Sequence, residues 1–207
     1  MSGRSGAGAE EAGGNLSLQV STALLLAAGA GTRLNAAADV EVTPKCLIEV
    51  GGISILERLL RSLQANGIRR LVIVTGYMEE CIRAVASQIA GDIQIETIEN
   101  REYATTNNIV SLWLARHTIR EPFLLIESDL VFEADLLSTM LAPNKAAVSN
   151  ILPWMNGTTV TLDSRQRVDS FELTGAADLA NRYKTVNIYC LSLDSWDKIT
   201  HRLEEHI

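Results

Sequence analysis

The sequence contains little cysteine, and its three cysteines do not form a recognisable pair. Cys46, Cys81 and Cys190 are widely spaced in a chain of 207 residues. An odd number of cysteines without a Cys-x-x-Cys spacing provides no disulfide framework and is typical of proteins in a reducing compartment. Because the histidines are not spaced as ligands beside these cysteines, the sequence also excludes a cysteine-based zinc site.

Long apolar runs are also absent. The longest one, from Ala23 to Ala28, is far shorter than the ~20 residues that a membrane-spanning helix needs. A secretory signal peptide with Arg4 in its basic segment is the alternative interpretation of this region. Glu10 and Glu11 interrupt that segment and therefore disfavour a signal peptide. We predict a cytoplasmic protein without a membrane span.

Positive charge is in deficit. The chain has 18 Lys and Arg residues against 25 Asp and Glu residues, which gives a formal net charge of −7. Domains that bind nucleic acid through its phosphates are usually strongly basic, so we predict no nucleic-acid partner. Hydrophobic residues make up 47% and charged residues 21% of the chain, which is an ordinary globular composition.

The chain divides into a short N-terminal segment and one domain. Residues 1–19 are rich in Gly, Ala and Ser and offer few side chains that a hydrophobic core could use. This composition predicts a flexible leader. We assign residues 20–207 to a single domain, because their number falls in the usual range for one hydrophobic core.

Apolar residues in this domain alternate between the spacing of strands and the spacing of helices. Strands are predicted at residues 20–28, 71–75, 92–98, 122–127 and 145–151, and helices at 53–65, 79–90, 107–117 and 134–141. This alternation predicts an α/β fold with a doubly wound, mostly parallel sheet and right-handed crossovers. Ligands of such sheets bind at the carboxyl ends of the strands.

The last part of the domain has no helices between its predicted strands, which lie at residues 158–162, 167–173 and 185–191. We therefore predict a small antiparallel β extension near the C-terminus. A final helix is predicted at residues 194–206, with Asp194 as its N-cap. Trp113 and Trp196 lie at apolar positions of helices, and we predict that both pack in the core.

The loop after the first strand carries the strongest functional pattern. An apolar strand is followed here by small residues, two glycines and the basic residue Arg33. The segment reads Leu26-Ala27-Ala28-Gly29-Ala30-Gly31-Thr32-Arg33-Leu34. Glycines let backbone N–H groups approach phosphate oxygens, and an arginine can donate two hydrogen bonds to the same phosphates. The segment is not a dinucleotide-binding GxGxxG sequence, because Leu34 replaces the third glycine, and it is not a Walker A sequence. Lys45, which follows Pro44, can reach back to this loop.

This loop and the segments after it resemble the nucleotidyltransferase superfamily that activates sugar phosphates and phosphocholine. The resemblance is carried by LAAGAGTRL at 26–34, PKCL at 44–47, GGISILER at 51–58, VTGY at 74–77, NREYATTNN at 100–108 and ESD at 127–129. The sequence NNIVSL at 107–112 is most similar to the branch of phosphocholine and phosphonate cytidylyltransferases. The resemblance implies a Rossmann-like nucleotidyltransferase fold. It also implies transfer of CMP from CTP to phosphocholine or an aminoalkylphosphonate, with release of pyrophosphate.

The resemblance further implies roles for single residues. Arg33 and Lys45 are the expected catalytic cations, and Asp129 is the expected ligand of Mg²⁺, with Glu127 as a weaker candidate. The expected nucleotide-binding residues are Leu26, Ala27, Ala28, Gly29, Ala30, Gly31, Thr32, Thr106, Asn107 and Asn108.

Four residues are expected on the acceptor side. Trp154 stands where the phosphocholine branch has a tryptophan in its headgroup cage, and aromatic faces attract cationic headgroups. Lys184, Asn187 and Tyr189 lie in a segment that resembles the strand beside the acceptor site. Members of the superfamily often have glycine where Asn187 stands, so we expect the local backbone to differ there.

The C-terminal end departs from the pattern of the superfamily. Many members carry a second acidic metal ligand in a strand after the final helix, whereas this sequence reaches Ile207 shortly after two helical glutamates. We expect either a fragment of a longer enzyme, a second acid supplied in another way, or a non-catalytic nucleotide-binding module. A homodimer and a further C-terminal domain are both compatible with the sequence. The alternative enzyme is a sugar-1-phosphate nucleotidyltransferase that uses UTP, dTTP or CTP.

Overall fold

The computed structural model describes residues 20–31, 43–172 and 181–207. Its strands are β1 (Thr22–Leu26), β2 (Glu49–Val50), β3 (Ile53–Ser54), β4 (Arg70–Thr75), β5 (Gln94–Glu99), β6 (Phe123–Glu127), β7 (Lys145–Asn150), β8 (Thr159–Leu162), β9 (Val168–Glu172) and β10 (Arg182–Leu191). Its helices are α1 (Ile55–Ala65), α2 (Glu79–Ile89), α3 (Asn108–Leu114), α4 (Asp135–Met140) and α5 (Leu193–Glu204), with 3-10 turns at Lys45–Leu47 and Ala115–His117. The predicted leader at 1–19 and two predicted site residues, Thr32 and Arg33, lie outside the described residues.

One eight-stranded sheet has the order β5-β4-β1-β6-β10-β8-β9, with β7 paired to β10. The first four strands in this order are parallel to one another. Strand β10 is antiparallel to β6, β7 and β8, and β9 is antiparallel to β8. The predicted mostly parallel sheet with an antiparallel extension is therefore confirmed. Because β10 lies between β6 and β7, these two strands run in the same direction without being hydrogen-bonded to each other.

Both faces of the parallel part of the sheet are covered, as its nearly continuous apolar strands require. Leu25 of β1 faces a core cluster built with α1 and α2, whereas Leu24 and Leu26 face a second cluster that contains Trp196 of α5. Trp196 is 1% exposed and packs edge-on against Phe123, with ring centroids 5.1 Å apart. The prediction that Trp196 belongs to the core is confirmed.

The ends of α1 show how local sequence sets the fold. The Oγ atom of Ser54 accepts a hydrogen bond from the backbone N–H of Glu57 at 3.1 Å, so Ser54 is the N-cap. The two residues before Ile55, predicted as helical, instead form β3. Gly67 follows the last turn of α1 with φ of +76°, the left-handed conformation that commonly ends helices. The prediction that the helix ends before this glycine is confirmed.

The start of α5 corrects the sequence prediction. Ser192, and not Asp194, is the N-cap, because its Oγ atom accepts a hydrogen bond from the N–H of Ser195 at 3.2 Å. The helix begins at Leu193, almost directly after β10, so Ser192, the last residue with extended backbone, takes the capping position. Asp194 lies in the first turn, where a negative charge favours the helix dipole.

Two further observations concern helices. Trp113 on α3 is half-buried, and the guanidinium group of Arg116 lies 3.3 Å from the centre of its ring, so it is not a fully buried core residue. Within the described part of the chain, no helix is both long enough and apolar enough to cross a membrane.

Candidate functional site

The carboxyl ends of four parallel strands meet at one edge of the sheet. Leu26 at the end of β1 is in register with Glu127 at the end of β6 and with Val74 of β4. Thr75 at the end of β4 is in register with Glu99 at the end of β5. The loops that follow these strands are therefore neighbours, and they contain most of the residues predicted from sequence.

The glycine-rich loop is held by the neighbouring strand. The N–H of Ala27 donates to the carbonyl of Val74 at 2.8 Å, and the N–H of Tyr77 donates to the carbonyl of Ala28 at 3.0 Å. A Cβ atom at Gly76 would lie 2.8 Å from that Ala28 carbonyl oxygen, so a glycine is required for this close approach. Three of the predicted nucleotide-binding residues, Leu26 to Ala28, are buried and support the loop, whereas Gly29 is exposed.

Lys45 crosses the glycine-rich loop. Gly31 has φ of +63°, and a Cβ atom there would lie 2.8 Å from Cγ of Lys45, so the lysine stem packs against the glycine. The Nζ atom of Lys45 reaches Oδ2 of Asp129 at 3.1 Å, and the two side chains are 31% and 42% exposed. The structure thus brings together Gly31, Lys45 and Asp129, which the sequence places in three separate segments.

Asn100 organises the loop after β5. It is 2% exposed, and its Nδ2 atom donates to Oγ1 of Thr106 at 3.1 Å and to Oγ of Ser111 at 3.0 Å. Its Oδ1 atom accepts from the N–H of Glu102 at 3.1 Å. Asn107 caps α3, because its Oδ1 atom accepts from the N–H two residues later at 2.9 Å. Asn100 is the first residue of the motif at 100–108, but its sequence context does not indicate a role, because its burial depends on the packing of the whole loop.

Glu127 connects two predicted groups of residues. Its Oε1 atom accepts from Nδ2 of Asn108 at 3.1 Å, and its Oε2 atom accepts from Nδ2 of Asn187 at 3.0 Å. Asn108 belongs to the predicted nucleotide side and Asn187 to the predicted acceptor side. The sequence ranks Glu127 below Asp129 as a metal ligand and gives no sign of this connection.

The acceptor-side residues of β10 surround an irregularity in the strand. Asn187 has φ of +59°, and the register of β10 against β7 shifts between Thr185 and Tyr189. This is the left-handed conformation that glycine adopts most easily, so Asn187 keeps the backbone that a glycine would favour. The prediction that the local backbone differs from that of members with glycine stays a prediction.

The side chains of this strand form a continuous group. Oγ1 of Thr185 donates to Oδ1 of Asn187 at 3.1 Å, and Nζ of Lys184 donates to the carbonyl of Thr185 at 2.8 Å. Burial raises the pKa of Tyr189, the charge of Glu127 raises it further, and a hydrogen bond with Thr185 opposes both effects. Tyr189 is therefore a neutral phenol at physiological pH.

Trp154 stands apart from this group. Its side chain is 75% exposed in the turn after β7. Among the residues that the structure describes, it makes no hydrogen bond or ring contact with the other predicted site residues. The structure therefore brings together Asn108 of α3, Glu127 of β6 and Asn187 of β10. Trp154 is not part of this group.

The donor set at this edge fits a cation shared with a substrate. Asp129 offers a partly exposed carboxylate, and Mg²⁺ is usually held by one or two carboxylates together with substrate phosphates and waters. Within the described ranges, no group of three or more His, Cys, Asp or Glu residues could hold a metal. Cys46, next to Lys45, is buried, and this burial raises the pKa of its thiol to about 12.

Comparison with known proteins identifies the family. Residues 23–162 match the sequence family described as MobA-like NTP transferase domain. The chain is 34% identical over 176 residues to CMP-5'-(3-aminopropyl)phosphonate synthase of Streptomyces rubellomurinus, covering 82% of this chain and 28% of that protein. It is 34% identical over 110 residues to 2-aminoethylphosphonate cytidylyltransferase of Lancefieldella rimae, covering 53% of this chain and 43% of that protein. The chain thus spans less than half the length of these relatives.

A solved structure shows the same fold. The CTP:phosphocholine cytidylyltransferase of Streptococcus pneumoniae matches with a TM-score of 0.69 and 20% identity, over 90% of this chain and 77% of that chain. This likeness confirms the predicted Rossmann-like nucleotidyltransferase fold. Because the family model covers well over half of the sequence, the chain belongs to the MobA-like NTP transferase domain family.

Proposed function

We propose that this chain transfers CMP from CTP to a small acceptor that carries a phosphonate or phosphate group, and that it releases pyrophosphate. The observation that carries the proposal is the contact of 3.1 Å between Lys45 Nζ and Asp129 Oδ2 beside Gly31. It puts a cation, a carboxylate suited to a divalent ion and a glycine-rich loop at one edge of the sheet. The named activities of the two relatives support the choice of CTP and of a phosphonate.

The reaction needs positioning and charge neutralisation. An oxygen of the acceptor attacks the α-phosphorus of CTP, and a new P–O bond forms. The bond between the α-phosphorus and the oxygen that bridges to the β-phosphate breaks, and its electron pair leaves with pyrophosphate. Two anions must approach each other, so the enzyme gains most from preorganised positive charge and from fixed orientation.

Lys45 is the residue that we place between these two anions. Its stem is held against Gly31, so its ammonium group has a restricted position over the loop. When the triphosphate is bound, Lys45 exchanges part of its contact with Asp129 for contact with phosphate oxygens. We place Arg33 on the departing β- and γ-phosphates, and backbone N–H groups of residues 29–31 on the triphosphate.

Asp129 is the residue that we place on Mg²⁺. A bound Mg²⁺ would neutralise phosphate charge and fix the phosphate geometry, which is its usual contribution to phosphoryl transfer. The side chains of Lys45 and Asp129 are 31% and 42% exposed, so a substrate-bound ion can reach the carboxylate and replace the lysine contact.

The nucleoside is proposed to bind over the loop that Asn100 fixes. Thr106 is held by Asn100, and Asn107 and Asn108 begin α3 directly after it. The exposed amide groups of such residues can recognise the hydrogen-bonding edge of a base. The named activities of the two relatives support cytosine as the base.

The acceptor is proposed to bind beside β10. Lys184 is available for its phosphonate or phosphate oxygens, and Asn187 and Tyr189 line the strand on the same side as Glu127. The exposed ring of Trp154 suits the ammonium end of an aminoalkylphosphonate or of phosphocholine by cation–π attraction. The named substrates of the two relatives favour an aminoalkylphosphonate.

Pyrophosphate release by the 207-residue chain with Mg²⁺ tests the proposal. Each of CTP, UTP, dTTP and GTP is combined with 2-aminoethylphosphonate, phosphocholine or glucose-1-phosphate. We expect the highest rate with CTP and 2-aminoethylphosphonate, and we expect EDTA to abolish it. Preference for UTP or dTTP with glucose-1-phosphate would establish a sugar-phosphate enzyme instead. Nucleotide binding without turnover of any pair would establish a non-catalytic module.

A further inference from the structure

We propose that Glu127 is a positioning residue that ties the nucleotide side of the site to the acceptor side, an inference that rests on the function proposed above. Its role is to orient Asn108 and Asn187 at the same time. This differs from the metal-binding role that the sequence suggests for Glu127, because both of its carboxylate oxygens already accept hydrogen bonds from side-chain amides.

The position of Glu127 in the sheet makes the connection possible. It is the last residue of β6, the strand at which the parallel half of the sheet meets the antiparallel half. Leu26 of β1 is its neighbour on one side, and on the other side Ile126 is in register with Ile188 of β10. Asn187, one residue before Ile188, is thereby placed beside the Glu127 carboxylate.

The two hydrogen bonds join distant parts of the chain. The bond from Asn108 spans 19 residues at 3.1 Å, and the bond from Asn187 spans 60 residues at 3.0 Å. Hydrogen bonds to an ionised carboxylate are roughly twice as strong as neutral ones. Each bond also fixes the rotation of an asparagine amide, because the amide nitrogen must face Glu127.

On the acceptor side, the fixed amide continues into a longer network. With Nδ2 of Asn187 turned to Glu127, its Oδ1 atom accepts from Oγ1 of Thr185 at 3.1 Å. The same hydroxyl shares its proton with the carbonyl of Thr158 at 3.0 Å, and the carbonyl of Thr185 accepts from Nζ of Lys184 at 2.8 Å. Glu127 is thereby connected, through Asn187, to Thr185, the residue that also contacts the lysine that we propose for the acceptor anion.

The backbone of Asn187 supplies a clean variant for the test. At φ of +59° a glycine fits without strain, so Asn187→Gly removes the side-chain bond and retains the left-handed backbone. Glu127→Gln keeps the size of the side chain but offers one acceptor oxygen to two amide donors, so one hydrogen bond is lost. Gln166→Gly is the matched control, because Gln166 is exposed and also has φ of +59°.

The experiment measures kcat and the KM values of CTP and of the acceptor, aminoethylphosphonate, together with the Kd of CTP by calorimetry, for the whole chain. We expect Asn187→Gly to raise the acceptor KM about tenfold, within the range that loss of a hydrogen bond to a charged group gives, and to leave the Kd of CTP within about twofold. We expect Glu127→Gln to lower kcat and raise both KM values. The kcat and KM values of the double variant should agree with those of Glu127→Gln within about twofold, because Glu127→Gln alone already breaks the connection between the two sides.

The following outcomes overturn the proposal. If the changes in kcat and KM caused by the two single substitutions multiply in the double variant, Glu127 and Asn187 act separately. Wild-type acceptor KM in Asn187→Gly would show that the amide does not position the acceptor side. If Glu127→Gln fails to fold, Asn187→Gly alone decides, with Gln166→Gly expected to match the wild type. A wild-type chain that turns over no substrate pair overturns the proposed function and the link with it, whereas an active wild type with unaffected variants overturns the link alone.

Discussion

The ammonium group of Lys45 lies 3.1 Å from the carboxylate of Asp129, although 84 residues separate them in the sequence. The pair joins the segment after the glycine-rich loop to the end of β6. Both side chains are partly exposed, at 31% and 42%, so the pair is open to substrate. Exposed ion pairs contribute only about 0–1 kcal/mol to stability, so we expect this pair to contribute little to folding.

Replacing Asp129 should therefore separate activity from stability. We expect Asp129→Asn to lower kcat for pyrophosphate release by at least about 100-fold, because loss of the charge weakens the proposed Mg²⁺ site. The free energy of unfolding in urea should change by less than about 1 kcal/mol. Asp194→Asn, which removes the partner of Lys198 on α5, is the control and should leave kcat unchanged. A loss of stability large enough to explain the loss of activity would contradict this assignment.

Gly31 should not tolerate a side chain. Its φ of +63° is strained for alanine by about 1–2 kcal/mol, and the added Cβ atom would lie 2.8 Å from Cγ of Lys45. Gly31→Ala should therefore lower the melting temperature and displace the lysine, with a loss of kcat/KM for CTP. For the thermal measurement, Gly29→Ala is the matched variant, since a Cβ atom there meets nothing within 4 Å. Equal melting temperatures for the two variants would refute the packing argument.

Asn100 should control the order of the loop proposed for the nucleoside. Asn100→Ala leaves the Thr106 and Ser111 hydroxyls without their buried donor, which should cost about 1–3 kcal/mol in the free energy of unfolding. Because the loop loses its fixed geometry, the KM of CTP should rise more than the KM of the acceptor. Urea unfolding and steady-state kinetics measure the two effects. An equal rise of both KM values would show that Asn100 supports the fold in general and not this loop.

The buried thiols should make the protein less stable at alkaline pH. Burial raises the pKa of Cys46 to about 12 and that of Cys190 to about 11, from 9.0 in both cases. As pH rises above 9, the unfolded chain loses these protons before the folded chain does, so the free energy of unfolding falls. The expected loss between pH 9 and pH 10 is about 1 kcal/mol for each thiol.

Denaturant unfolding at the two pH values, compared with Cys190→Ala, measures this effect. The variant should show the smaller fall between pH 9 and pH 10, because it lacks one of the two thiols. In the native protein at pH 8, a thiol reagent should modify the exposed Cys81 and spare the two buried cysteines. Rapid modification of Cys46 would contradict its burial.

The local elements and their order are predictable from the amino-acid sequence. Apolar periodicity predicted the helices, and every strand except β2 and β3, within a few residues, and Gly67 correctly marked the end of α1. These features are encoded locally, because helix ends and buried strands depend on residues close in the chain. The choice of Asp194 as N-cap failed, since the true cap depends on where β10 ends.

Which of the candidate residues lie together depends on long-range packing. The insertion of β10 between β6 and β7 places Asn187 beside Glu127, and no local pattern encodes a pairing across 60 residues. The same is true of Lys45 and Asp129. Chemistry at this site depends on distances of about 3 Å between side chains from separate segments, and only the packing of the whole sheet fixes such distances. The sequence therefore named the residues at this edge, and the fold showed that Glu127 joins its two sides.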